Sequence, residues 1–350
     1  MTSLWAFLSQ NMTVILAPIV GLCLTLLSVR AVRTWINSAD DTKAIDAKIV
    51  DSSAVIEQPN APVEWVAHTL FSRGVTKSLH SDVDGAIADF TGVITLPNAP
   101  AEVVAKAFYE RGMLKTAFQN GNGAVADFTG AIDLPNAPVE LVAQALLSRG
   151  VANERNGKGK WAEAIDDYTG VIKLPNAPAE CVAQALFSRG GAKSLHSDVD
   201  GAIADFTGVI TLPNAPAEVV AKARYRRGTL KMASDDSNGA VDDFTGVIDL
   251  PNAPVEVVAK ARYRRGTLKM ARDSNGAVDD FTAVIKLPNA PAEWVAKSLY
   301  RRGTVKVARD DSNGAVADFT GVIDLPNAPA KVVAKAGYRR EIITPTRHAH

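Results

Sequence analysis

The sequence has little of what catalysis or metal binding requires. There are five histidines, His68, His80, His196, His348 and His350. None forms a His-x-x-x-His pair around a carboxylate, and there is no glycine-rich loop of the kind that cradles phosphate. The two cysteines, Cys23 and Cys181, lie far apart, which excludes a disulfide scaffold and a cysteine-rich metal site. Net charge is also missing: 38 basic residues balance 38 acidic ones, which argues against a globally basic nucleic-acid binder. Aromatics make up only 6% of the chain although 47% is apolar, so alanine carries much of the core and close-packed helices are expected. No cofactor, no metal and no enzymatic activity are predicted. Two runs, Asp235 to Gly239 and Asp310 to Gly314, resemble a calcium loop but lack its spacing and its final glutamate. They are expected to be turns between helices, as are His80 and its copy His196. Cys181 is expected in the core, and His348 and His350 in a terminal tail.

Charge is absent from the first 29 residues as well. Met12 to Val29 is an uncharged, mostly apolar run that Leu4 to Leu8 extend, long enough to cross a bilayer at about 20 residues. Trp5 and Trp35 flank it, as interfacial rings do. A cleaved signal peptide is the rival reading, but no basic residue precedes the run and no Ala-x-Ala site follows it. Residues 4–29 are therefore expected to be a single transmembrane helix within an anchor and flank over 1–36. Arg30 and Arg33 place the remainder in the cytoplasm and the N-terminus outside.

The remainder is repetitive. Pro-Asn-Ala-Pro begins at Pro59, Pro97, Pro135, Pro175, Pro213, Pro251, Pro288 and Pro326, at spacings of 37 to 40 residues. Lys77 to Ala107 recurs unchanged as Lys193 to Ala223, a mark of block duplication. Within one unit, Val103, Val104, Ala107, Phe108, Met113 and Leu114 have helical spacing. An Asn-Gly-rich turn follows, and then Ala124, Phe128, Ala131 and Ile132 fall on one face of a second helix. Leu134-Pro135 ends that helix. Each unit is thus a helix hairpin with two apolar faces, which only stacked neighbours can bury.

In each unit a small residue on the first helix precedes an alanine and an aromatic on the second. Five triples keep offsets of 12 and 16 residues: Gly74, Ala86, Phe90; Gly112, Ala124, Phe128; Gly190, Ala202, Phe206; Gly228, Ala240, Phe244; and Gly303, Ala315, Phe319. Gly150, Ala164, Tyr168 and Gly266, Ala277, Phe281 are the longer and shorter variants. This pattern resembles the tetratricopeptide repeat (TPR), although that family's unit is typically about 34 residues long. The resemblance implies an all-α, right-handed solenoid of TPR-like hairpins, here preceded by the transmembrane helix. Seven repeats are expected over 59–325. Residues 37–58 would form a short tether and an N-terminal half-repeat, in which Ala47 to Gln58 follow the second-helix pattern with Ser52 in the aromatic place. Residues 326–350 would be a C-terminal capping helix and tail, with Glu341 in the small-residue place. Arg73, Arg111 and Arg227 are expected to pair with second-helix aspartates such as Asp89 and Asp127.

The TPR resemblance further implies a concave groove, lined by first helices, that receives peptides. One first-helix face reads Lys222, Tyr225, Arg226; Lys260, Tyr263, Arg264; Lys297, Tyr300, Arg301; and Lys335, Tyr338, Arg339, with Thr229, Thr267 and Thr304 one turn on. Earlier units carry His68, Phe71, Ser72; Lys106, Tyr109, Glu110; Gln144, Leu147, Ser148; and Gln184, Phe187, Ser188. Residues 1–220 hold 16 basic and 23 acidic groups, and residues 221–350 hold 22 and 15. The twelve Lys, Tyr and Arg positions form the candidate site for a protein partner or acidic peptide. Single-stranded RNA binding by the same face, self-association as a structural assembly, and a merely duplicated solvated face stand as alternatives. The zero net charge and the membrane tether make nucleic acid the less favoured ligand.

Overall fold

The computed structural model describes residues 56–344, apart from Pro59 and Lys158. The expected membrane span at residues 4–29, the tether, most of the N-terminal half-repeat, and His348 and His350 lie outside the described residues. Among the described residues there are fifteen helices and no strand. No helix among them is long and apolar enough to cross a membrane.

The chain divides into two compact units, Met1–Lys193 and Ser194–His350. The first contains α1 (Val63–Leu79), α2 (Val83–Thr95), α3 (Ala101–Ala117), α4 (Gly121–Ile132), α5 (Val139–Arg155), α6 (Trp161–Lys173) and most of α7 (Ala179–Leu195). The second contains α8 (Val199–Thr211), α9 (Ala217–Ala233), α10 (Ser237–Ile248), α11 (Val255–Lys269), α12 (Ser274–Ile285), α13 (Ala292–Val307), α14 (Ser312–Ile323) and α15 (Ala330–Ile343). Odd-numbered helices are the first helices of hairpins, and even-numbered ones the second.

The connections follow from local chemistry. In each Leu-Pro-Asn-Ala turn the alanine N–H donates to the leucine carbonyl, as Ala99 does to Leu96 at 3.2 Å. The asparagine takes the left-handed conformation, with φ between 58° and 61° at Asn98, Asn136, Asn176, Asn214, Asn252, Asn289 and Asn327. Proline at the second place and a positive φ at the third define a type II turn, and asparagine tolerates that φ better than most residues. The next proline, such as Pro100 at φ −59°, then opens the first helix. Most second helices begin with an aspartate or asparagine cap. Asp236 and Asp311 accept the N–H of Gly239 and Gly314 at 2.9 and 2.8 Å. The calcium-loop lookalikes are therefore helix caps, and His80 closes α1 as its C-cap.

Packing inside a hairpin depends on the small first-helix residue. A Cβ added to Gly303 would lie 2.9 Å from the Phe319 ring, and one on Gly112 would lie 2.8 Å from Phe128. The alanine and aromatic of each triple are fully buried, and Cys181 joins the core of α5, α6 and α7.

A polar strap crosses this apolar core. Arg302 donates from Nε and Nη2 to Asp318 of its own second helix at 2.9 and 2.6 Å. Its Nη1 reaches back to Thr282 Oγ1 on the preceding second helix at 2.9 Å. Lys306 shares Asp318 Oδ2 with the Nε of Arg302, at 3.0 Å. The same three-helix strap joins Arg111 to Asp127 and Thr91, Arg227 to Asp243 and Thr207, and Arg265 to Asp280 and Thr245. The aspartates are buried, with Asp243 and Asp280 only 2% exposed. At Asp167 the lysine is replaced by Asn153, which donates at 3.1 Å. Burial pushes the carboxyl of Asp167 up, against the opposing hydrogen bond from Arg149.

Removing the arginine leaves a buried carboxylate short of a partner, which costs about 3 kcal/mol or more. Removing the threonine hydroxyl costs about 1 kcal/mol. Arg302→Ala is therefore expected to lower the opening free energy of α14 amides in hydrogen exchange about three times as much as Thr282→Val. Equal effects would contradict the strap's ranking.

Candidate peptide groove

The twelve ladder residues all lie in the second unit, on α9, α11, α13 and α15, one rung per first helix. Their environments differ from the simple row of cations and phenols that the repeat suggests. Each lysine of the first three rungs pairs with a glutamate one turn earlier: Lys222 with Glu218 at 2.6 Å, Lys260 with Glu256 at 2.6 Å, and Lys297 with Glu293. Such i, i+4 pairs on exposed helix surface stabilise weakly, about 0.3–0.5 kcal/mol each. They do cancel the local charge. One positive charge per rung is left over, carried by Arg226, Arg264 or Arg301.

The arginines are less solvated than their spacing suggests. Arg226 is exposed, whereas Arg264 and Arg301 are half-buried. The Nε of Arg301 approaches the hydroxyl of Tyr263 on the previous rung at 3.4 Å. The Nε of Arg264 is buried with no hydrogen-bond partner. Trp294 forms a floor between two rungs: Lys297 Nζ lies 4.2 Å from its ring centroid, Lys260 Nζ 5.9 Å, and the Tyr263 ring 5.4 Å. These contacts are cation–π and tilted aromatic pairs.

The tyrosines are half embedded. Tyr225, Tyr263 and Tyr300 tilt against Phe244, Phe281 and Phe319 of their own second helices, with centroids 5.7 to 5.9 Å apart. Only Tyr338 is open, 67% exposed; among the described residues no second helix follows α15. The threonines one turn on are spent locally: Thr229, Thr267 and Thr304 donate to the carbonyls of Tyr225, Tyr263 and Tyr300.

The last rung breaks the rule of the other three. Lys331 stands where they have glutamate, so Lys331, Lys335 and Arg339 put three positive charges on one exposed helix face. Two further arginines were not picked out by the ladder. Arg224 and Arg262 occupy a place held by Leu70, Phe108, Leu146 and Leu299 in other hairpins. Both have a buried Nε with no hydrogen-bond partner, and the Arg224 guanidinium packs over Gly246. Column-by-column comparison of the repeats would have found them.

In the first unit the same face is closed and nearly uncharged. Tyr109 and Leu147 are 3% and 4% exposed, and Lys106 pairs with Glu102 at 2.5 Å. Glu110 replaces the arginine and is half-buried. Burial pushes its carboxyl up to about 7. Among the described residues no cluster of metal-ligating side chains occurs.

These features define a repeat protein of antiparallel helix hairpins with a basic face on its second unit. No family model and no curated protein matches the sequence. Among solved structures, the C-terminal part of a TPR repeat-containing protein from Cytophaga hutchinsonii is similar at a TM-score of 0.57 and 14% identity, covering 75% of this chain and 98% of that one. A tetratricopeptide repeat protein from Parabacteroides merdae is similar at 0.46 and 15%, covering 79% and 98%. YrrB, described as a TPR protein with an unusual peptide-binding site, is similar at 0.40 and 17%, covering 53% and 86%. The hairpins are TPR-like, and the chain has the TPR fold.

Glu110 gives the site region a pH signature. Its folded-state pKa lies above the ordinary carboxyl value, so its contribution to stability is full below about pH 4.5 and is lost as pH rises through about 7. Glu110→Gln is expected to match wild type at pH 4 and to exceed it at pH 8 by about 3 kcal/mol at most. Thermal or denaturant unfolding at the two pH values checks this. A variant equally destabilised at both would remove burial as the cause.

Proposed function

We propose that this protein is a membrane-anchored TPR scaffold whose second unit binds an acidic peptide segment of a partner protein. The observation that carries the reading is the excess positive charge. After the Lys–Glu pairs cancel, Arg226, Arg264 and Arg301 supply one cation per rung, and the last rung supplies three. Packed helix axes lie about 8–10 Å apart. An extended chain covers about that distance in three residues. The groove therefore suits a peptide with an acidic residue at roughly every third position and an acidic cluster at the end nearest α15. Arginine grips carboxylates bidentately, and the Tyr and Trp floor offers rigid apolar contact.

The alternative of single-stranded RNA is less well supported. Base stacking needs open aromatic faces, and Tyr225, Tyr263 and Tyr300 are seated against phenylalanines. Anchoring rests on the uncharged run over residues 4–29, and cytoplasmic placement of the repeats rests on Arg30 and Arg33.

Charge reversal of Arg226, Arg264 and Arg301 to glutamate is expected to weaken binding of a synthetic (Glu-x-x)n peptide at least a hundredfold by fluorescence anisotropy. Lys222→Gln, which removes a cation already neutralised, should change it less than threefold. Unchanged binding in the triple variant would sink the groove assignment, and tighter binding of oligouridine than of the peptide would favour RNA. Topology is tested separately by reporter fusions at the C-terminus. Activity only from a cytoplasm-dependent reporter is expected, and an external signal would reverse the orientation.

A further inference from the structure

Among the described residues there are seven second helices, and five of them open on an aspartate cap: Asp82, Asp198, Asp236, Asp273 and Asp311. The two that do not are neighbours in the first unit. The cap of α4 is Asn120, and that of α6 is Lys160, which makes no side-chain cap bond. Across residues 117–123 and 155–162 the sequence has no acid, while Arg155 and Lys160 are basic. The same two turns carry exposed aromatics: Phe118 is 57% exposed and Trp161 42%. We propose that this edge of the α3–α4 and α5–α6 hairpins, built from Phe118, Asn120, Lys160 and Trp161, docks on the surface of an anionic lipid bilayer.

Both rings depart from their columns. Phe118 stands where the other hairpins have His80, Asn156, His196, Ser234, Arg272 and Arg309. Trp161 stands where the second unit has Ser237, Ser274 and Ser312. Exposed apolar groups rimmed by polar ones mark contact surfaces for membranes or proteins. Here the charge selects the membrane. An indole beside basic groups suits the headgroup layer, and an anionic leaflet attracts each lysine or arginine while repelling carboxylates. Loss of two aspartate caps, in two turns that hold no other acid, matches such a surface. Leu79 on the neighbouring turn is 41% exposed as well. Asp82 and Asp84 follow it closely, so the edge stops at the α3–α4 hairpin.

The two turns form one surface. A Cβ on Gly121 would lie 1.7 Å from Asn156 Oδ1, so the glycine lets one turn press against the other. Between them is a cleft of about 470 Å³ lined by Gln119, Asn120, Gly121, Asn122, Asn156 and Lys160. Its polar side chains are amides and one ammonium. Asn120 accepts the Gly123 N–H through Oδ1 at 3.1 Å, which leaves its Nδ2 as a donor. An aspartate would cap the helix equally well but would carry a second oxygen with shared negative charge. The cleft therefore suits the phosphate of a lipid headgroup, and the rings of Phe118 and Trp161 beside it suit the interfacial layer. The inference depends neither on the span proposed for residues 4–29 nor on the groove of the second unit.

Hydrogen exchange on the full-length chain tests it, with the protein reconstituted in phosphatidylcholine vesicles with and without phosphatidylglycerol. Amides of residues 117–123 and 159–163 are expected to exchange about fivefold slower when roughly a third of the lipid is anionic. The double variant Asn120→Asp/Lys160→Asp restores the cap of the other hairpins and should abolish the slowing. Phe118→Ser/Trp161→Ser should abolish it as well. Each substitution introduces a residue that another hairpin uses at the same place, so both variants are expected to fold. Unchanged exchange of the buried α4 amides around Phe128 checks this, and a folding defect in one variant leaves the other to decide. Equal exchange in the two vesicle compositions, or slowing that survives in a folded double variant, would overturn the proposal. So would slowing that needs no lipid and grows with protein concentration, which would assign the edge to a second copy of the chain.

Discussion

The arginine strap is the constraint on which the described structure depends. A TPR-like unit buries its apolar faces only against neighbours, so something must fix the relation of one hairpin to the next. Here a guanidinium does so from a single side chain. Its Nε and Nη2 grip an aspartate within the hairpin, and its Nη1 holds a threonine one hairpin back. The planar fork of arginine makes this possible, and an ammonium could not reproduce it. The cost of burying the aspartate is met by a second cation, the lysine one turn further on. An ion pair that is nearly dry adds little net stability when intact and costs much when broken. Breaking a strap therefore costs more than the intact strap contributes.

This arrangement also sorts the charges of the chain. Each first helix of the second unit carries cations of three kinds. Arg227, Arg265 and Arg302 are consumed by buried aspartates. Lys222, Lys260 and Lys297 are offset by glutamates on their own helices. What remains is one arginine per rung, the cluster on α15, and Arg224 and Arg262, whose Nε atoms are buried. The basic excess of residues 221–350 is thus much smaller as a usable surface than as a count.

Much of this could be read from the residues. The hairpins, their turns and the hairpin half of the strap follow from the spacing of proline, glycine, alanine and phenylalanine and from the Arg and Asp columns. The inter-hairpin half did not. It depends on a threonine 20 residues before each arginine, and only the packed positions of two second helices reveal why that hydroxyl matters. The ladder was legible as a face but not as an environment. Pairing of Lys260 with Glu256 follows from helix geometry, whereas the seating of Tyr263 against both Phe281 and Trp294 depends on neighbouring hairpins. Arg224 and Arg262 escaped notice because a leucine-to-arginine change looks like surface variation until the buried Nε is seen. The membrane span proposed for residues 4–29 rests on sequence pattern alone.

Duplication explains why the units resemble one another, and for that reason the copies themselves say little about function. The departures say more. Lys331, Gly337 and Glu341 all depart from their columns within one helix, and each change has a distinct physical consequence. Lys331 removes the carboxylate that neutralises the other rungs and so makes the last rung the most basic. Glu341 puts a charged side chain where a ring would pack, and so forbids an ordinary hairpin partner. A cap selected only for solubility would need neither a lost glutamate on the groove face nor a charge at the closest point of helix contact, since any polar residues on the outer face would serve.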